Sequence, residues 1–365
     1  MNIVTLAGGV GGAKLAQGLV LTPILSPIPC PRSGGTAGRK GEGSLTIIVN
    51  TGDDFEWHGL TVCPDLDTVT YALGGIANTV TGWGVADDTF EAIGALQRLG
   101  VEPWFKIGDR DLATHVYRTE LLRQGKTLTE ATHTITHALG IEATILPMTD
   151  DHFRTMVDTD QGVLEFQDYF VRRQWQPIIR RIFFAGAETA RATPQVINAL
   201  EQADAIIIAP SNPFVSVDPI LSLIPLPPSP ESSFDFAALR AGCDSGGEGG
   251  TTAPPLPKSS SRFRERGPGG EVPLLAVSPI VGGQALKGPA AKMFRELGWE
   301  PSALAVAQYY QGLVSHFVLD QLDADQESAI QSLGMKTLVT NTIMQSVDDR
   351  ARLASEVVEF VKRKA

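Results

Sequence analysis

The sequence predicts an α/β fold: a doubly wound, mainly parallel sheet of the Rossmann-like kind, with helices on both faces and long insertions. Three observations predict it. Short, almost continuously apolar runs recur along the chain, as strands buried on both faces of a parallel sheet do. Each run ends in glycine, proline or small polar residues. Most are then followed by a helical pattern, and that alternation marks doubly wound sheets.

In chain order, Ile3–Leu6 is the first apolar run, and it passes through Gly8-Gly9-Val10-Gly11-Gly12-Ala13-Lys14 into a helix. Leu45–Val49 is the second run, followed by Asn50-Thr51-Gly52-Asp53-Asp54. Helices are expected from Thr89-Phe90-Glu91, over Leu112–Arg123 and over Pro194–Gln202. Another starts at Thr127, where Glu130 stands three residues on, as a capping box requires. Ala205–Ile208 and Leu274–Val277 are the next strands. Residues 22–44 and 225–272 are rich in Pro, Gly and Ser and read as flexible insertions within a single domain spanning 1–365.

Composition narrows the function. The formal charge is −11, from 30 basic and 41 acidic residues. Broad nucleic-acid binding needs a positive field to displace counterions, so it is not expected. Cys30, Cys63 and Cys243 show no metal-ligand spacing and do not suggest a disulfide framework. The N-terminal residues run straight into the glycine loop without a basic region and apolar stretch, and no run reaches the length of a membrane span. The expectation is a cytoplasmic protein with no membrane partner.

Ligands in such folds sit at the carboxyl ends of the strands; of five candidate motifs, four fall there and the third lies in a turn before a helix. In the first, glycines between a strand and a helix let backbone approach a phosphate beside free helix N–H groups. The loop lacks the GK[ST] of a Walker loop and the spacing G-x-G-x-x-G, and a tight turn alone would also explain it. The second motif places Asp53 and Asp54 after a strand, and Asp65 and Asp67 follow within fifteen residues of Asp53. Four acids so close call for a cation, a donor network or ample solvent; Mg²⁺ and a hydroxyl-rich ligand both suit them, as does an ordinary turn.

The third motif is Lys106-Ile107-Gly108-Asp109-Arg110-Asp111, continuing to His115 and Arg118. Lys106 and Arg110 suit a phosphate or an acidic ring edge, Asp109 and Asp111 suit orienting or capping roles, and His115 reads as structural. The fourth, Pro210-Ser211-Asn212-Pro213, presents polar donors on a loop fixed by two prolines. The fifth, Ser278-Pro279-Ile280-Val281-Gly282-Gly283, leads to Lys287 and Lys292. Gln167-Asp168-Tyr169-Phe170 reads as a structural corner.

Taken together, GGVGGAKL, NTGDD, CPDLDT, KIGDRDLATH, LPMTDD, FQDYFV, PSNPFVS and SPIVGGQALKGPAAK resemble, in order, the 2-phospho-L-lactate transferases of coenzyme F-420 biosynthesis. The resemblance covers nearly the whole chain except the two insertions. It implies a transfer from a guanosine-diphosphate-linked three-carbon acid, lactate or enolpyruvate, to the ribitol hydroxyl of the deazaflavin Fo, with GMP leaving and Mg²⁺ as cofactor. It carries deazaflavin contacts to Asp67 and Lys106, and nucleotide contacts to Gly8, Gly9, Gly11, Gly12, Ser211 and Asn212. Asp53, Asp54 and Asp65 are then the expected metal ligands, with Asp53 and Asp67 in catalysis. A homodimer is a family-based expectation. The competing reading is a non-catalytic nucleotide-sugar-binding regulator of the same superfamily.

Overall fold

The computed structural model describes residues 1–22, 43–224 and 272–363. The expected insertions at 22–44 and 225–272 lie outside the described residues except at their flanks. Seven strands form the main sheet: β1 (Ile3–Ala7), β2 (Leu45–Val49), β3 (Thr144–Pro147), β4 (Ala205–Ile208), β5 (Leu274–Val277), β6 (His316–Asp320) and β7 (Lys336–Thr340). All neighbours pair in parallel, in the order β7-β6-β5-β4-β1-β2-β3. Ile3 of β1 is in register with Leu45 on one side and Ala205 on the other.

The period of two along a strand divides the core. Val4 and Leu6 enter one apolar layer with Ile48, Ile206 and Ile208. Ile3 and Ala7 enter the opposite layer with Ile47, Val49, Ala205 and Ile207. Both faces are covered, which is why these strands read as continuous apolar runs.

On the second face lie helix α1 (Gly9–Val20) and the C-terminal helix Val347–Lys362. They cross closely at Gly18, where a Cβ would stand 2.1 Å from the Arg350 carbonyl oxygen. The first face carries helices Pro194–Gln202, Ala290–Glu296 and Ala303–Tyr309. It also carries a small antiparallel sheet, with Arg154–Thr159 between Gly162–Glu165 and Ile179–Ala185. Phe153, Val157, Leu164 and Phe184 bind that sheet into the first core layer.

Four more helices lie between β2 and β3: α2 (Pro64–Leu73), α3 (Glu91–Arg98), α4 (Asp109–Arg123) and α5 (Leu128–Ala138). The capping box at Thr127 and Glu130 forms at the start of α5. A hairpin, Phe55–Trp57 with Leu60–Val62, packs against α3 through Phe55, Trp57, Val62 and Ile93. Its two-residue turn is His58-Gly59, at φ 49° and 76°, the positive-φ pair that matches strand twist in a tight hairpin. His58 is thus a turn residue. Among the described residues, no helix is long and apolar enough to cross a membrane.

The sheet winds outward from β1 in both directions. The strand order reverses between β1 and β4, and the carboxyl edge at such a switch point is the crevice where ligands bind in open α/β sheets.

Candidate functional site

The β1 and β4 loops meet at this crevice. The Ser211 hydroxyl accepts from the Gly8 N–H at 3.2 Å and donates to the Gly8 carbonyl at 2.8 Å. A Cβ on Gly11 would stand 2.1 Å from the Pro210 carbonyl oxygen, and one on Gly12 would stand 2.8 Å from Ser211 Oγ. Gly8 leaves similarly little room, 2.5 Å to Asp65 Oδ2, while Gly9 has φ +60°. The glycine run therefore allows the two loops to interlock, and it brings Gly8, Gly9, Gly11, Gly12 and Ser211 to one place. Asn212 caps its own loop by accepting from the Phe214 N–H at 3.1 Å.

The acidic residues gather next to that interlock. Asn50, fully buried at the end of β2, spreads its two amide N–H groups over three acceptors. These are Asp53 Oδ1 at 3.0 Å, Asp65 Oδ2 at 3.0 Å and the Val215 carbonyl at 3.1 Å. Its own carbonyl accepts from the Gly52 N–H at 2.7 Å. Asp65 stands in the first turn of α2, and its Oδ1 accepts from the Gly9 N–H at 2.6 Å. The glycine loop and the acidic motif are thereby one connected structure. The second oxygen of Asp53 accepts from Gln167 Nε2 at 2.9 Å.

Burial raises the proton affinity of these acids. Desolvation, then the charges of Asp65 and Asp54, push Asp53 well above the usual carboxylate range. Burial lifts Asp54 to about 8, although the Cys63 thiol and Arg154 pull the other way. Burial lifts Asp65 to about 6 against the hydrogen bonds from Asn50 and Gly9. Asp54 Oδ1 is buried with no hydrogen-bond partner among the described residues. Carboxylate oxygens, one of them orphaned, are hard donors of the kind that Mg²⁺ takes, but among the described residues the three side chains whose ligand atoms lie within 4.8 Å of one another are Asp67, Asp111 and His115.

Two residues further along α2, Asp67 faces a different partner. Arg118 of α4 grips both its oxygens, Nη1 to Oδ2 at 3.2 Å and Nη2 to Oδ1 in a shorter contact. His115 Nδ1 is 3.6 Å from Asp67 Oδ2 and 3.3 Å from Arg118 Nη1. Asp111 completes the group, with Oδ1 3.2 Å from His115 Nε2 and accepting from the Tyr71 hydroxyl at 2.7 Å.

The Lys106–Asp111 turn divides its acids by task. The Asp109 carboxylate accepts from the Thr89 hydroxyl and from the Glu91 and Ala92 N–H groups, so it caps α3. Asp88 returns the favour by accepting from the Arg110 and Asp111 N–H groups at the start of α4. Lys106 is exposed just ahead of α4 and has no hydrogen bond or ion pair among the described residues. Lys292 is a structural tie, bonded to Glu296, Tyr169 and the Pro177 carbonyl.

Asn50, Gln167 and Arg118 organise the site without having stood out as candidates in the sequence. Asn50 was legible as the residue that opens NTGDD at a strand's end. Gln167 lies 114 residues from Asp53 and carries no spacing signal. Arg118 sits at i+7 from Asp111, on the same face of α4.

The chain matches the family described as 2-phospho-L-lactate transferase CofD over residues 3–227. It is 35% identical over 366 residues to the 2-phospho-L-lactate transferase of Methanopyrus kandleri, covering 99% of this chain and 98% of that one. It is 34% identical over 368 residues to the phosphoenolpyruvate transferase of Streptomyces coelicolor, again covering 99% and 98%. A solved structure of an upf0052 family protein from Bacillus halodurans shares the fold, with a TM-score of 0.53 at 12% identity, covering 98% of each chain.

Proposed function

Because this chain belongs to the 2-phospho-L-lactate transferase family, we propose that it moves a phospho-lactyl or phosphoenolpyruvyl group from a guanosine-diphosphate-linked donor to the terminal ribitol hydroxyl of Fo. The acceptor oxygen attacks the distal phosphorus, which already bears the three-carbon acid. The bond from that phosphorus to the bridging oxygen breaks, and GMP leaves with the bridging oxygen. The hydroxyl proton passes to a base, and a phosphodiester remains.

One observation carries the reading: Asp65 joins the helix N-terminus at Gly9 to the acid cluster through Asn50. A diphosphate laid against the N-terminus of α1 would have its charge beside Asp53, Asp54 and Asp65. Like charges cannot meet there unaided, so the arrangement supports a divalent cation between them. Asp53, Asp54 and Asp65 would hold Mg²⁺, which when bound neutralises the developing charge on the diphosphate. Ser211 and the glycine loop fix the nucleotide end. Asp67 and Lys106 would meet the acceptor, and Asp53 would take part in proton removal. Alignment and charge neutralisation are the main requirements of phosphoryl transfer; the interlocked loops would supply the first and the cation, when bound, the second.

Incubating the protein with Fo, Mg²⁺ and each guanylylated donor in turn, followed by mass spectrometry, tests the reading. The expected products are GMP and a phosphodiester of Fo. Saturable binding of a nucleotide sugar, with no Fo consumed under either donor, would favour the non-catalytic regulator instead.

A further inference from the structure

We propose that Tyr71, Asp111, His115 and Arg118 form a buried positioning chain that fixes the direction in which Asp67 meets the acceptor, with His115 held in its Nε2–H tautomer. The inference rests on the function proposed above and assigns work to residues that it leaves idle.

The sequence spacing builds the chain from two facing helix stripes. Asp67 and Tyr71 are i and i+4 on α2. Asp111, His115 and Arg118 are i, i+4 and i+7 on α4, one side of that helix. All five side chains are buried. A polar group of this size inside a protein is costly unless its members satisfy one another.

The tautomer follows from the neighbours. Arg118 Nη1 can only donate, and it lies 3.3 Å from His115 Nδ1. Nδ1 therefore offers its lone pair, and the ring proton sits on Nε2. That nitrogen faces Asp111 Oδ1 at 3.2 Å, in a close electrostatic contact rather than a well-aligned hydrogen bond. Asp111 in turn is anchored by the Tyr71 hydroxyl. The order runs from Tyr71 to Asp111 to His115 to Arg118 to Asp67, and each link sets the orientation of the next.

The charge balance supports the same reading. Asp67, Asp111 and His115 bring ligand atoms within 4.8 Å of one another, the spacing of a metal cluster. The Arg118 guanidinium stands against Asp67 and His115 and supplies positive charge to the buried Asp67 carboxylate. The fork also occupies one lone pair on each Asp67 oxygen. The remaining lone pairs are left to accept from ribitol hydroxyls in a fixed direction. Asp67 is thereby an orienting group, and His115 acts through Arg118 upon it. A packing staple between α2 and α4 would use the same contacts, but it would have no bearing on acceptor affinity.

The test compares the full-length protein with His115→Ala, His115→Gln and Tyr71→Phe. Fo binding is followed by deazaflavin fluorescence, GDP binding by calorimetry, and turnover at saturating Fo. Loss of one link should weaken Fo binding roughly tenfold in His115→Ala, with GDP affinity unchanged and kcat altered much less than KM. His115→Gln should recover most of the loss, because its amide can both donate and accept. Tyr71→Phe should shift Fo affinity in the same direction by less. Nitrogen-15 NMR of histidine-labelled protein should show a ring with Nε2 protonated and Nδ1 bare, absent in His115→Gln. A proton on Nδ1, or a folded His115→Ala protein with normal Fo affinity, would overturn the proposal. Failure of the wild type to bind Fo would overturn the function reading and the acceptor half of this one, while the NMR signal would still decide whether the chain exists.

Discussion

Asn50 and Asp65, fifteen residues apart, are joined by a 3.0 Å hydrogen bond that ties the end of β2 to the first turn of α2. Through Asp65 the bond reaches the Gly9 N–H, so a strand end, a helix start and the glycine loop share one buried amide. Replacing Asn50 by Ala removes the donor common to Asp53 and Asp65 and leaves the Val215 carbonyl short of a partner. Each buried acceptor left unsatisfied costs about 1–3 kcal/mol. Asn50→Ala should therefore lower the melting temperature by several degrees in the absence of ligand. An unchanged transition in calorimetry would remove Asn50 from its central place in this network.

Gly11 tests the interlock of the β1 and β4 loops. A methyl group at this position would stand 2.1 Å from the Pro210 carbonyl oxygen, too close for side-chain adjustment to relieve because the obstacle is backbone. Gly11→Ala must push the Pro210–Asn212 loop away from α1. Overpacking of this kind costs about 1–3 kcal/mol. The expected result is a folded, less stable protein with weaker GDP binding by calorimetry. Gly140→Ala is the control for thermal stability only in the sense of space, since nothing lies within 4 Å of its added Cβ, although its φ of +69° adds strain. If Gly11→Ala binds GDP as tightly as the wild type, the interlock does not shape the nucleotide site.

Asp54 and Asp65 set a pH dependence whose sign can be worked out. Both are raised in the folded chain, to about 8 and about 6, above the ordinary 3.8. Below about pH 4 the folded and unfolded chains both carry the protons, and the stabilising contribution is fully present. As the pH rises the unfolded chain loses them first, so the contribution is lost progressively up to about 8. Asp218 adds in the same direction, raised by burial to about 8 despite the hydrogen bond from Tyr309. Metal-free protein should therefore melt at a lower temperature at pH 8 than at pH 6, and Asp54→Asn should flatten the decline. Mg²⁺ displaces those protons, so it should raise the melting temperature more at pH 8 than at pH 6, and its chelation should stop transfer. Equal Mg²⁺ stabilisation at both pH values would argue against a cation among these acids.

The parts of this fold that were legible in the sequence are those whose signal is local. β1, β2, β4 and β5 were readable because they are buried on both faces, and the Thr127 capping box because its two residues are three apart. β3 and β7 are the sheet's edges, where Thr144–Pro147 ends in proline and Lys336–Thr340 is only half-buried, so neither gives a continuous apolar run. β6 is buried throughout, but His316 and Asp320 bracket only three apolar residues. The site divides in the same way. Strand-end acids and glycines were visible as motifs, whereas the bond from Gln167 to Asp53 and the grip of Arg118 on Asp67 depend on long-range docking that no spacing encodes.

Asp67 and Lys106 carry the expected acceptor contacts, and the structure makes them unequal as probes. Asp67→Asn would leave Arg118 buried with a weakened partner, and breaking a buried ion pair destabilises by about 3–5 kcal/mol. A loss of Fo binding in that variant would mix a structural effect with a recognition effect. Lys106 is exposed and holds no partner among the described residues, so Lys106→Met should fold and melt as the wild type does. Its ammonium would pair with the acidic hydroxyl or carbonyl edge of the deazaflavin. Losing one charge-assisted hydrogen bond costs about 1.5–3 kcal/mol, or roughly ten- to a hundredfold in affinity. Lys106→Met should weaken Fo binding by that factor in a fluorescence titration, with GDP affinity and melting temperature unchanged. Normal Fo affinity and turnover in this variant would place the acceptor's ring elsewhere in the crevice, while a parallel loss of GDP affinity would assign Lys106 to the donor.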